Sequence, residues 1–62
     1  MTYVIKRTWT SGKVVYLQLR DDDVVEVEDA KNASQFSLMG AELAMSRNWA
    51  NPYWVEEAVK YG

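Results

Sequence analysis

The chain has 62 residues, no cysteine, no histidine, eight aromatic side chains (three Trp, four Tyr, one Phe) and a formal net charge of −2. That length holds one hydrophobic core, so residues 1–62 read as a single domain, and so short a chain buries only about 60% of the surface its unfolded form exposes. The composition excludes a disulfide framework and a Cys/His zinc site, and removes the commonest acid–base, thiol and transition-metal groups, so no enzyme activity and no cofactor is expected.

Large aromatic side chains must then supply the stability that disulfides or metals give other small domains, unless the chain associates with itself. No apolar run approaches the length of a membrane span or a signal-peptide core, so a cytoplasmic location without membrane partners is expected. Six of the nine acids fall between Asp21 and Asp29. Such an arc reads as a solvated turn and strand edge, or as a surface that faces a basic partner.

Residues Thr2 to Thr10 (TYVIKRTWT) are rich in β-branched and aromatic types and predict a first strand. Ser11-Gly12 suits a two-residue hairpin turn, and Lys13 to Arg20 (KVVYLQLR) reads as the return strand. In that register Thr8 faces Val15, Lys6 faces Leu17 and Val4 faces Leu19, while Trp9 meets Val14, Arg7 meets Tyr16 and Tyr3 meets Arg20 on the other side. Asp21-Asp22-Asp23 predicts a three-residue turn, and Val24 to Glu28 a third strand. The expected core strip is Val4, Val15, Leu17, Leu19, Val25 and Val27.

Asp29 to Gln35 is a polar connection with room for one helical turn, and Phe36 is its expected anchor. Ser37 is the expected N-cap of a helix over Leu38 to Asn48, which Asn51-Pro52 should end. On a helical wheel Leu38, Ala41, Met45 and Trp49 share a stripe, while Met39 and Leu43 sit round from it. Tyr53 to Tyr61 mixes helix-favouring Glu-Glu-Ala with strand-favouring Tyr, Trp and Val, and strand is preferred. The result is an α+β class domain, a small antiparallel βββαβ sheet with one helix packed on one face and the last strand beside the first.

Candidate sites follow from the same register. Tyr3, Arg7, Trp9, Tyr16 and Arg20 would project together from the hairpin, an arrangement of rings and guanidinium groups used at protein hot spots and as stacking platforms for single-stranded nucleic acid. Glu26 and Glu28 approaching from the third strand would oppose phosphates, and the same rings also serve as plain cross-strand packing. Asp21, Asp22 and Asp23 form a second candidate, for a basic partner. Their spacing does not match a calcium loop, and no metal site is expected. Met39 and Leu43, near Tyr53 or Trp54, form an apolar patch suited to core packing or to a homodimer. Three roles remain: a protein-binding module, a single-stranded nucleic-acid binder, and a homo-oligomeric unit.

YVIKR, the YLQL strand, the acidic turn and EVEDAKNASQFS leading into an Ala-containing helix resemble short early-region proteins of bacteriophages and prophages of Gram-positive bacteria. The resemblance spans most of the chain as a pattern of elements and carries no catalytic or binding motif. It implies a stoichiometric partner, a host or phage protein, and a role such as inhibition of a host protein.

Overall fold

A computed structural model describes residues 1–45 and 52–61. Strands β1 (Tyr3–Trp9), β2 (Val14–Arg20) and β3 (Asp23–Val27) precede a 3-10 turn (Ala30–Asn32), helix α1 (Leu38–Met45) and strand β4 (Trp54–Lys60). They build the expected α+β domain, a four-stranded antiparallel sheet in the order β3-β2-β1-β4 with the helix against β1 and β4. The ambiguous C-terminal segment is a strand, paired along its length with β1 from Tyr3–Lys60 to Trp9–Trp54.

Both hairpin registers differ by one residue from the expectation. The first loop has three residues, Thr10 to Gly12, closed by Trp9 N–H to Lys13 O and Gly12 N–H to Trp9 O, both 2.8 Å. Gly12 has φ +96°, the left-handed residue that converts a tight turn into a bulged three-residue loop. Consequently Lys6 pairs with Tyr16, Arg7 with Val15 and Thr8 with Val14. The second loop has two residues, Asp21 and Asp22. Asp21 takes φ +52° there, Asp being tolerant of that region, and Arg20 pairs with Asp23, Leu19 with Val24 and Leu17 with Glu26.

A shift of one residue exchanges the faces of a strand. The expected single strip is therefore split. Val15, Leu17 and Leu19 share the helix side with Ile5 and Arg7, whereas Val4, Val25 and Val27 lie on the opposite side. Ile5 (1% exposed), Leu17 and Ala41 (0%) form the centre of the core, with Tyr3, Phe36, Ala44, Met45 and Ala58 packed around them. Leu19, expected inside, is 45% exposed.

Beyond Lys6–Tyr16, β1 and β2 part, and the segment after the 3-10 turn fills the gap. Phe36 exchanges two backbone hydrogen bonds of 2.8 Å with Tyr3, Ser34 N–H reaches Leu17 O, and Ser34 Oγ accepts from Leu19 N–H. Phe36 is thus the anchor expected of it. Ser37 caps α1, its Oγ accepting from Gly40 N–H at 3.1 Å and its carbonyl from Ala41 N–H. Of the expected helical stripe, Ala41 and Met45 turn inward but Leu38 is exposed, and Met39 and Leu43 face outward. The expectations for residues 46–51, including Trp49, lie outside the described residues.

Candidate functional site

The helix side of the sheet carries a charged cluster beside its core. Arg7, 8% exposed, donates from Nε to Glu56 Oε2 (2.9 Å) and from Nη1 to Glu26 Oε2 (2.9 Å), and its Nη2 lies 2.7 Å from Glu56 Oε2. β4 supplies Glu56 directly opposite Arg7, and β3 supplies Glu26 two strands away. The same Glu26 Oε2 accepts from Trp9 Nε1 at 2.9 Å. Trp54, paired with Trp9, lays its ring 4.0 Å from the guanidinium carbon, and the two indoles meet edge to face with centroids 4.5 Å apart. Trp54 Nε1 and Glu56 Oε1 are buried without a hydrogen-bond partner.

This geometry takes the hairpin constellation apart. Tyr3, Arg7 and Trp9 share the helix side, with Tyr3 packed against the core. Tyr16 and Arg20 point the other way, because Tyr16 is registered with Lys6 and Arg20 with Asp23. Arg7 is committed to two carboxylates, so its charge faces no solvent platform. Glu26 approaches Arg7 from the third strand as expected and is its ion-pair partner; the residues missed in the sequence are Glu56 and Trp54. The signal that could have found Glu56 and Trp54 is the last strand read antiparallel beside β1 in the register that sets them opposite Arg7 and Trp9.

No protein-family model, curated protein or solved structure matches the chain.

A second feature lies next to the cluster. Helix α1 packs over β1 and β4 and reaches Leu17 of β2, and among the described residues Leu19 and Val24 near the β2–β3 tip stay part-exposed on the same side, where a groove of about 320 Å³ opens. Leu17, Leu19 and Val24 line its sheet wall, Leu43 and Ala44 its helix wall, and Arg7 lies in its floor. Leu19, Val24 and Leu43 are 45%, 46% and 66% exposed. The groove runs out at the β2–β3 tip, where Asp21, Asp22 and Asp23 stand exposed and border a shallow depression with Arg20 and Val25. Met39, at 72% exposure, lies elsewhere on the helix and does not line the groove; Tyr53 is exposed too, but Trp54 is drawn into the Arg7 cluster.

Among the described residues no three acids converge as a cation site. Asp23 and Glu26 point to opposite faces of β3. No described helix is long and apolar enough to cross a membrane.

Proposed function

We propose that this domain is a non-catalytic protein-binding module that acts stoichiometrically through the helix-side groove and the acidic tip beside it. The observation that carries this reading is the exposure of Leu19, Val24 and Leu43 around one concave apolar wall in so small a domain. Contiguous apolar surface rimmed by polar residues is the mark of a contact surface, since leaving it in water forgoes about 25 cal/mol per Å². The resemblance to early-region phage proteins supports the same reading and makes a host or phage protein the natural partner.

Single-stranded nucleic acid is a poorer occupant. Its platform needs free cations beside stacked rings, and Arg7 is neutralised by Glu26 and Glu56 while Asp21, Asp22 and Asp23 repel phosphates. Nothing on the helix side or at the tip favours self-assembly over a different partner.

The test is a pull-down from bacterial lysate with the tagged domain, divided into nuclease-treated and untreated halves and read by mass spectrometry. A discrete protein retained in near-equal amount after nuclease supports the module. Enrichment that vanishes with nuclease, leaving nucleic acid in the untreated half, would replace it with the nucleic-acid reading.

A further inference from the structure

From the groove and its rim we infer the chemistry of the partner: a basic amphipathic α-helix, seated along β2 and β3 beside α1, with an apolar side chain on Leu19 and Val24 and cations one turn away on either side. The inference rests on the protein-binding reading above and specifies its occupant.

Three observations select that occupant. First, the groove wall offers side chains alone. Only the outer edge of β3, the end of the sheet, leaves strand backbone open there; across the groove face the backbones of β2 and β3 pair with each other from Tyr16–Val27 to Arg20–Asp23. An extended peptide laid there would bury its own N–H and C=O groups without partners, whereas a helix satisfies them internally.

Second, acids outnumber cations around the groove, whose lining holds one charged side chain, Arg7, itself paired with Glu26 and Glu56. The cross-strand pair Leu19–Val24 is followed by the loop acids Asp21 and Asp22, and two residues further along β3 on the same face stands Glu26. Glu26 belongs to a cluster of two carboxylates and one guanidinium, which keeps a net negative charge beside the groove. A second copy of this chain would bring the same acids to the same place and be repelled, as would any anionic ligand.

Third, the spacings agree. Two residues along a strand span roughly 7 Å, and side chains one helical turn apart stand about 5–6 Å from each other at Cβ, within the reach of a Lys or Arg stem. A helix with the pattern Lys-x-x-x-Leu-x-x-x-Lys therefore sets its Leu on Leu19 and Val24 while its cations reach the Asp21-Asp22 tip and Glu26. Arg7 adds no attraction for an acidic side chain because both of its edges are already occupied.

The experiment measures fluorescence anisotropy of labelled synthetic 18-residue helices against the intact domain. One peptide carries a Leu stripe flanked by Lys, a second replaces each Lys with Glu, and a third keeps the composition of the first in scrambled order. The Lys peptide is expected to bind at least tenfold more tightly than either control. Leu19→Asn and Val24→Thr, both at exposed positions, should each weaken it about tenfold, and Asp21→Asn/Asp22→Asn should weaken it several-fold at low salt with the difference shrinking as salt rises. Circular dichroism of each variant confirms that the fold is intact.

Equal binding of the Lys and scrambled peptides, or indifference to both Leu19→Asn and Val24→Thr, overturns the inference, as does a dimer in sedimentation that Leu19→Asn dissolves. A lysate partner whose retention survives Leu19→Asn overturns the helix-in-groove assignment while leaving the module reading in place. Failure to retain any protein after nuclease removes the module reading itself.

Discussion

The guanidinium carbon of Arg7 stands 4.0 Å from the centroid of the Trp54 ring, so a cation with 10% of its side chain exposed is held between an indole and two carboxylates. Position 7 of a strand that otherwise carries Ile5 into the core is thereby made polar without being made wet. Paired and hydrogen-bonded, such a cation is tolerated. Half of the pair left alone is not, because the surviving charge stays in a low-dielectric site.

Replacing Arg7 with Met is expected to cost about 3–5 kcal/mol, since the Glu56 side chain, 6% exposed, loses its cation. Urea unfolding followed by Trp fluorescence reads this as a lower midpoint at similar slope. The double variant Arg7→Met/Glu56→Leu should recover a large part of the loss, because the one carboxylate it leaves without a cation, Glu26, is 29% exposed and keeps the Trp9 N–H. A double variant as unstable as the single one would contradict this account.

Gly12→Ala tests the first loop. A Cβ at Gly12 meets nothing within 4 Å, so any cost comes from φ +96° alone. Expected is a loss of roughly 1–2 kcal/mol, with sheet content in circular dichroism unchanged. A neutral result would mean that the loop can relax to the two-residue form.

Ser37→Ala should lower stability by about 1 kcal/mol through the Gly40 N–H it leaves unbonded, and Ser37→Asp should restore most of it. Thermal melts of the three proteins decide the point. In a domain of this size 1 kcal/mol moves the midpoint by about 4–8 °C.

Ala41→Leu addresses the closeness of helix and sheet. Ala41 is fully buried at the centre of the core, so three added carbons must lift α1 from β1 at a cost of about 1–3 kcal/mol. An equally stable variant would show that the groove side of the helix can yield.

The element order, the place of the last strand beside the first, the Phe36 anchor and the Ser37 cap were all legible, because each rests on local chemistry such as β-branched runs and a capping hydroxyl. The faces were not. Ser11-Gly12 fits a two-residue turn as well as the end of a three-residue one, and Asp21 to Asp23 fits either length, so two small ambiguities carried Ile5 and Arg7 to the wrong side. Alternation gave no warning, since Val4 and Ile5 are both apolar and both 1% exposed. Arg7 itself looked like a surface residue because its neutralising partners come from β3 and β4, 19 and 49 positions away. The groove was invisible for a related reason: Leu43 and Leu19 acquire a shared space only once α1 settles on β1 and β4 rather than over the middle of the sheet.

The bond between Arg7 and Glu56 joins the opening strand to β4 across those 49 positions. Without β4, a β1–β2–β3 meander would leave Arg7 with Glu26 as its one carboxylate partner and the β1 edge unpaired. Loop closure over such a distance is slow relative to hairpin formation. A chain cut short before β4 would therefore present an open strand edge and a half-neutralised cation. Those are features that aggregate or attract proteases, so the interior ion pair ties survival of the domain to synthesis of its full sheet.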